Sequence, residues 1–301
     1  MTFTFAFGDP GDEPSGVLGT GIPLLAGAAR EPVLGPVEPA GRSGAFALWR
    51  GAAGLAGFAR VDPAGDLEGA ARRTYAELLG AARGLGLYRI WNLVPGINGK
   101  GPDGLENYRA FCVGRSLAFE EALGSGFAAR LPAASGVGTA ARELTVAFLA
   151  GPGPARYFEN PEQVPAYAYP EEHGPRPPSF SRATVVEREG GVDAYFSGTS
   201  AIAGHSTVSP HETAGQLERT IRNLILVSRA CGLGEHLGAG KAASRHFKVY
   251  LRSPGDLAVV ARRMEGGLLR PGDLVSYLGA DICRSELNVE IEATVRGAER
   301  I

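Results

Sequence analysis

The alternation of hydrophobic and polar positions is clearest in the second half of the chain. A helix is predicted over residues 210–230, because Ser209-Pro210 is a helix-start signal, Gly232 is a stop signal, and apolar residues recur at helical spacing between them. Residues 247–251 alternate with a period of two, which predicts a strand. Ser253-Pro254 then repeats the start signal and predicts a second helix.

Further strands are predicted on both sides of these helices. Residues 183–187 and 192–197 flank Glu189-Gly190-Gly191, a pattern typical of a hairpin. Residues 274–278 and 287–293 are two more strand-like segments. The order strand, strand, helix, strand, helix, strand, strand predicts an α+β layer with two helices on one face of a sheet.

The first half shows the same order more faintly. Helical periodicity covers residues 67–85 and 105–123, and strand-like segments cover 88–94 and 144–149. Each half also has a Pro-Gly pair between a strand and the next helix. We therefore predict two similar halves of mixed sheet and helices, an N-terminal domain over residues 1–150 and a C-terminal domain over residues 151–301. The Pro-rich segment 151–178 is the predicted link.

Composition and charge narrow the class of protein. The chain has 301 residues, 44% hydrophobic and 21% charged, with a formal net charge of −2. These values are typical of a folded water-soluble protein and give no general attraction to nucleic acid or an anionic membrane. No apolar stretch is long enough to span a bilayer and no secretory signal pattern is present, so we expect a cytoplasmic protein. The sequence leaves the oligomeric state open, with a monomer as the working expectation. The three cysteines form no disulfide or zinc pattern.

Two carboxylates share one face of the last predicted strand. The period-two rule places Glu290 and Glu292 together with Asn288, opposite the apolar face. Such a face is usually a solvated sheet surface. If the other domain covers it, desolvation would raise the pKa of Glu290 towards neutrality, and Glu290 could act as a proton donor.

The turn before that strand, residues 281–286, combines a thiol, a guanidinium group and carboxylates. Cys283 and Arg284 have ordinary interpretations as a small buried residue and a surface ion-pair partner. Alternatively, Arg284 could hold a substrate carboxylate in a two-point contact.

Other candidate substrate contacts are basic, aromatic or small side chains near strand and helix ends. Several arginines around one pocket would suit a substrate with more than one carboxylate. The segment 198–205 is flanked by Gly but lacks the P-loop Lys, so its small residues favour close approach of a flat ligand instead. His205 is a possible base, with a structural hydrogen bond as the alternative. The further candidates are Arg115, Arg176, Arg182, Arg252, Tyr108, Tyr167, Tyr250, Ser200 and Ala201.

These residues belong to segments that resemble two known families. The C-terminal half resembles the RidA/YjgF fold through Ser197-Gly198-Thr199, Cys283-Arg284 and the strand with Glu290. The whole chain resembles the chorismatases, which remove pyruvate from chorismate. The matching segments follow one another over some 200 residues: Tyr88 to Asn98, Gly104 to Cys112, Gly114-Arg115-Ser116, Leu131 to Ser135, Glu159-Asn160-Pro161, Gly174-Pro175-Arg176, Ser179 to Ala183, Gly204-His205, Val249 to Arg252 and Ala280 to Arg284.

The resemblance implies a mechanism and roles for particular residues. It implies that Glu290 protonates the methylene of the enolpyruvyl ether and that arginines hold the two carboxylates of chorismate. It also implies that Cys283, seven residues before Glu290, assists ring opening in the branch that forms 3-hydroxybenzoate. A small residue near Ser200-Ala201 is expected to influence the product.

Two alternatives stay open at this point. One is hydrolysis of chorismate to a dihydroxycyclohexadiene carboxylate, and the other is a RidA-like imine or enamine deaminase or a small-molecule binder. The ether cleavage is redox-neutral, so no cofactor or metal is expected for it.

Overall fold

The computed structural model describes residues 1–8, 11, 16–238, 240 and 243–300. Its helices are α1 (Leu67–Ala81), α2 (Asn107–Leu123), α3 (Thr213–Ala230) and α4 (Leu257–Glu265). Its strands are β1 (Phe3–Ala6), β2 (Val17–Gly19), β3 (Leu24–Gly27), β4 (Arg30–Leu34), β5 (Glu38–Ser43), β6 (Phe46–Gly51), β7 (Gly54–Val61), β8 (Gly86–Pro95), β9 (Ala133–Thr139), β10 (Leu144–Gly151), β11 (Ala155–Phe158), β12 (Ala183–Arg188), β13 (Gly191–Thr199), β14 (Ile202–Ala203), β15 (Ser206–Thr207), β16 (Ser244–Leu251), β17 (Leu274–Gly279) and β18 (Val289–Ala298).

The two halves repeat one strand order. The first sheet runs β5-β6-β7-β10-β8-β9 and the second runs β11-β12-β13-β18-β16-β17, with β3 added at its edge. In each half the last strand inserts between the third and fourth, and only the fourth and fifth pair in parallel. A helix precedes the fourth strand and another follows it in both halves. The predicted α+β class and the two similar halves are therefore confirmed.

Strand β18 lies in the middle of the second sheet, between β13 and β16. Its apolar residues Val289, Ile291 and Ala293 belong to the same hydrophobic core as the residues of α3. Its opposite face carries Glu290 and Glu292, which are 3% and 2% exposed. Because the first half of the chain covers this face, it is buried and not the solvated surface that is usual for such a pattern.

An aromatic core joins the two halves. It contains Trp49, Phe58 and Trp91 from the first half, and Tyr195 and Tyr250 from the second. Trp49 stacks on Phe58 with ring centroids 5.5 Å apart. Because large aromatic side chains from both halves are buried together, the two sheets are held in a fixed relative position. A site built from residues of both halves requires that fixed position.

The start of α3 differs from the prediction. The helix begins at Thr213, three residues later than expected, because Ser209 and His211 have left-handed backbone angles of φ +49° and +62°. The side chain of Glu212 accepts hydrogen bonds from the amides of Ala214 and Gly215 and caps the helix. The Ser-Pro signal therefore marks a turn in front of the helix.

No strands were predicted in the N-terminal segment, yet its described residues form seven strands before α1. One of them, β3, pairs antiparallel with β17 and so extends the second sheet. The predicted link also contains structure, since β11 pairs with β12. The division at residue 150 stays a prediction. Among the described helices, none combines the length and hydropathy needed to cross a membrane.

Candidate active site

A cavity of about 230 Å³ lies where the turn before β18 meets α2 and the Pro-rich segment. It brings together six of the predicted site residues, namely Tyr108, Arg182, Ser200, Cys283, Arg284 and Glu290. Since Tyr108 and Arg109 come from the first half and Glu290 from the second, both halves of the chain build the site.

The carboxyl group of Glu290 is buried and has few hydrogen-bond partners among the described residues. Its Oε2 accepts a hydrogen bond from the Ser200 hydroxyl at 3.3 Å, while Oε1 has no hydrogen-bond partner among the described residues. Burial, and then the negative charge of Glu292, raise the pKa of Glu290 to about 8. The group therefore carries its proton at neutral pH and can act as a general acid.

Glu292, two residues further along, has the opposite environment. Its carboxylate accepts hydrogen bonds from Arg89 at 2.7 Å and from Trp91 Nε1 at 3.0 Å, and it pairs with Lys248. Burial alone would raise the pKa of Glu292, but Lys248 and Arg89 outweigh burial and lower it. Lys248 also pairs with Glu31. These partners keep Glu292 ionised beside the neutral Glu290.

Gly198 gives the Glu290 carboxyl its space. A Cβ atom at position 198 would lie 2.1 Å from Glu290 Oε1 and 3.1 Å from the Ser135 Cβ. A Cβ atom essentially never lies 2.1 Å from another heavy atom, so a side chain at position 198 must displace the Glu290 carboxyl. In the structure, the group that approaches this segment closely is the Glu290 carboxyl, and the expected approach of a flat ligand stays a prediction.

Three guanidinium groups line the cavity. Arg182 is buried and donates to the Tyr169 hydroxyl at 2.8 Å, while its Nε has no hydrogen-bond partner among the described residues. Arg284 donates to Thr207 Oγ1 and to the carbonyl of His205, and its guanidinium lies 5.6 Å from the centre of the Tyr169 ring. Arg109 is the third. Such a set suits an anionic ligand with two carboxylates.

The buried carboxyl group of Glu159 lies next to the Arg182 guanidinium. The Glu159 Oε2 atom lies 3.9 Å from Arg182 Nε, and neither Glu159 oxygen has a hydrogen-bond partner within the described ranges. Burial raises the pKa of Glu159 to about 7, against the opposing effect of Arg182. Near neutral pH, Arg182 is thus only partly neutralised by the protein itself.

Cys283 lines the same cavity with a neutral thiol. Burial, and then the charge of Glu290, raise the pKa of Cys283 to about 12. At neutral pH the side chain is therefore an S–H group and not a thiolate.

Three predicted arginines lie outside the cavity lining, each with partners inside the protein. Arg252 pairs with Asp281 and donates to backbone carbonyls before β18. Arg176 pairs with Glu120 at 2.7 Å. Arg115 is buried, with its guanidinium 5.0 Å from the centre of the Phe111 ring. Arg252 thus braces the turn that carries Cys283, and the other two stabilise α2.

Two predicted tyrosines and one alanine also lie outside the lining. Tyr250 faces Trp91 and Lys248 in a separate small cavity, and burial raises its pKa well above the usual value. Tyr167 is partly buried and packs against the hydrophobic core of the first half of the chain. Ala201 is fully buried in a small cluster with Ile202. Ala201 can therefore influence the cavity only through its neighbours.

Sequence reasoning did not select several residues that line the cavity: Glu106, Arg109, Tyr169, His173, Pro178, Phe180, Ser285, Glu286 and Leu287. The available signal for Tyr169 and His173 was that the Pro-rich segment contains aromatic and basic side chains that a passive linker rarely has. Arg109 has no comparable signal, because an arginine on a helix is usually a surface residue.

Known proteins with a related sequence cover most of the chain. A chorismatase from Streptomyces hygroscopicus is 39% identical over 267 residues, which cover 86% of this chain and 76% of the relative. A protein named 3-hydroxybenzoate synthase, also from Streptomyces hygroscopicus, is 35% identical over 252 residues, or 78% and 72% of the two chains. Residues 35–150 match the family model for the N-terminal part of FkbO/Hyg5-like chorismatases.

The chain belongs to the chorismatase family. A crystal structure of a chorismatase matches this chain with a TM-score of 0.82 and 32% identity, covering 97% of this chain and 92% of that one. A YjgF family protein from Neisseria meningitidis covers 49% of this chain with 19% identity and a TM-score of 0.33. The family resemblance inferred from the sequence motifs is confirmed, and the chain is an enzyme of the chorismatase family.

Proposed function

We propose that this chorismatase cleaves the enolpyruvyl ether of chorismate and releases pyruvate and 3-hydroxybenzoate. The observation that carries the proposal is the neutral, buried carboxyl of Glu290 in a cavity that also contains three guanidinium groups. An enol ether must be protonated at its methylene carbon before the ring C–O bond breaks. Chorismate also has two carboxylates, and desolvated carboxylates need cationic partners.

The reaction begins with proton transfer from Glu290 to the methylene carbon, which becomes a methyl group and leaves an oxocarbenium-like ether. The neighbouring ring hydroxyl displaces pyruvate at the ring carbon, forms an epoxide and returns its proton to Glu290. Opening of the epoxide and loss of a ring proton give the aromatic product. The two products together contain the atoms of chorismate alone, so water is not consumed.

Cys283 is proposed to assist the epoxide opening. Its thiol can donate a proton to the epoxide oxygen, and the resulting thiolate can accept the proton that the ring loses. The high pKa of Cys283 supports the first step, since a neutral thiol is the form that donates.

Arg182 and Arg284 are proposed to hold the substrate carboxylates, with Arg109, Tyr108 and Ser200 as further contacts. Arg182 is best placed for this role, because it is buried and retains an N–H group without a partner in the described part of the chain. A bidentate contact with a carboxylate would satisfy that donor.

The basic test is to incubate the purified protein with chorismate, measure pyruvate with lactate dehydrogenase, and separate the aromatic products by chromatography. We expect pyruvate and 3-hydroxybenzoate in equal amounts. A dihydroxycyclohexadiene carboxylate in place of 3-hydroxybenzoate would favour hydrolysis, and absence of pyruvate above the uncatalysed rate would reject chorismate cleavage.

The Cys283→Ala variant tests the product class. Because the thiol acts after pyruvate leaves, we expect pyruvate release to continue while the share of 3-hydroxybenzoate falls. An unchanged product ratio would reject this role for Cys283. The 3-hydroxybenzoate synthase relative supports this product over the diene.

A RidA-like deaminase is the less favoured alternative, because the cavity needs residues of both halves and a single RidA module corresponds to one. The cytoplasmic location and the monomeric state stay predictions.

A further inference from the structure

Three potential metal-binding atoms converge at the rim of the active-site cavity. Glu172 Oε1 lies 3.4 Å from His173 Nε2 and 3.2 Å from His205 Nδ1, and the two imidazole nitrogens are 3.0 Å apart. Among the residues that the structure describes, this is the one group of three His, Cys, Asp or Glu side chains with such close ligand atoms. His173 lines the cavity, and Glu172 is exposed.

The triangle has the dimensions of a tetrahedral metal site. Zinc binds imidazole nitrogen and carboxylate oxygen at about 2.0–2.2 Å, so two ligand atoms of a tetrahedral site lie about 3.3 Å apart. The three distances of 3.0, 3.2 and 3.4 Å fall around that value. Three protein ligands leave the fourth position of the tetrahedron for water or an anion.

Separate parts of the chain hold the two imidazoles in place. His173 ends a short 3-10 turn, and its amide donates to the carbonyl of Pro170 at 3.0 Å. His205 lies in the turn between β14 and β15, and its carbonyl accepts a hydrogen bond from Arg284 at 2.9 Å. The Tyr169 ring packs beside both imidazoles, with centroid distances of 5.2 and 6.5 Å.

We propose that Glu172, His173 and His205 form a binding site for a divalent transition-metal cation of the Zn²⁺ class. Two imidazoles and one carboxylate favour Zn²⁺, Ni²⁺ or Cu²⁺ over Mg²⁺ and Ca²⁺, which prefer all-oxygen sites. The cation has no part in the proposed ether cleavage, because Glu290 supplies the proton for that step. The nearby guanidinium of Arg284 repels a cation and limits the affinity.

The competing explanation is a hydrogen bond between the two imidazoles, with Glu172 as a third partner. Both arrangements bring the same atoms together, but only a metal site selects among divalent cations. The test therefore measures binding and selectivity directly, and it does not depend on the proposed function.

The tag-free protein is titrated with ZnCl₂ by calorimetry, and with CoCl₂ while the visible spectrum is recorded. We expect one Zn²⁺ per chain, no comparable binding of Mg²⁺, and the strong visible bands of tetrahedral Co²⁺. His173→Ala and His205→Ala should each weaken Zn²⁺ binding by more than the roughly 10–100-fold that loss of an outer-shell partner costs.

Two matched variants control the assignment. His236→Ala removes an exposed histidine outside the cluster and should leave binding unchanged. Cys283→Ser removes the thiol of the same cavity and should also leave it unchanged. Melting temperatures verify that all variants are folded. Unchanged Zn²⁺ affinity in folded His173→Ala and His205→Ala, loss of binding only in Cys283→Ser, or no binding to the wild type would each overturn the proposal.

Discussion

Glu290 and Glu292 project from the same face of β18, two residues apart, and hold opposite protonation states at neutral pH. Arg89, Trp91 and Lys248 contact the carboxylate of Glu292, whereas Glu290 accepts one hydrogen bond among the described residues, from the Ser200 hydroxyl. The charge on Glu292 also contributes to the raised pKa of Glu290. One strand thus carries an ionised carboxylate beside a carboxyl with a raised pKa, a pattern that separates the roles of two acidic groups in many active sites.

The Glu290→Gln variant should lose about a hundredfold or more in kcat, the typical range for loss of a general acid, because the amide cannot transfer the proton. Its melting temperature at pH 7 should not fall, since Gln keeps the shape without a titratable group. Steady-state pyruvate release and thermal unfolding measure the two quantities. The exposed Glu218→Gln serves as the control, and a fully active Glu290→Gln enzyme would remove Glu290 from the mechanism.

Catalysis should decline as the pH rises through about 8, because Glu290 then loses the proton that it must donate. The alkaline limb of the kcat profile measures this pKa in the enzyme–substrate complex, and that of kcat/KM measures it in the free enzyme. A profile that is flat from pH 6 to 10 would contradict the assignment.

The free energy of unfolding should also change with pH through the titration of Glu290. The pKa of Glu290 is raised on folding from 4.5 to about 8, so between these values the folded state holds a proton that the unfolded chain has lost. The stability from this proton is complete below pH 4.5 and is lost as the pH rises to 8. In chemical denaturation, Glu290→Gln should therefore gain stability relative to the wild type over this window. A constant difference would show that Glu290 is not protonated in the folded protein.

The Glu292→Gln variant should move the alkaline limb of activity to lower pH. Loss of the neighbouring negative charge removes a cause of the raised pKa of Glu290, and it frees Arg89 to interact with that carboxyl. The same change removes the carboxylate that pairs with the buried Arg89 and Lys248, which should lower the free energy of unfolding by about 3–5 kcal/mol. Lower stability with an unmoved pH profile would limit Glu292 to a structural role.

The Gly198→Ala variant should reduce kcat about 100-fold, because its Cβ would collide with Glu290 Oε1 and displace the carboxyl. Gly126→Ala is a matched control, since a Cβ there meets no atom within 4 Å and the backbone angle is ordinary. Both variants are assayed for pyruvate release and thermal stability. Equal activity of the two would show that the carboxyl does not need its position beside Gly198.

Local sequence patterns predicted much of the fold but were wrong at a turn whose sequence has the features of a helix start. The strands with period two and the helices with Gly stops lie close to their predicted places, because burial of one face imposes the spacing. Ser209-Pro210 did not start α3, since the left-handed angles at Ser209 and His211 depend on contacts such as that of the His211 amide with the Glu286 carbonyl. Among the N-terminal strands that were missed, β3 pairs with the distant β17, whereas β5, β6 and β7 form hairpins with their neighbours along the chain, and the sequence analysis did not recognise that pattern.

The sequence by itself determined that Glu290 and Glu292 share a face and that Cys283 and Arg284 precede their strand, because strand periodicity depends only on neighbouring residues. Only the tertiary structure decided which carboxyl keeps its proton, since Arg89 and Trp91 lie some 200 positions away and meet Glu292 when the first half covers β18. It also decided that Arg182 and Arg284 line the cavity while Arg115 and Arg252 do not. A pKa and a binding site depend on the groups around a side chain in space, and the distance along the chain does not specify those groups.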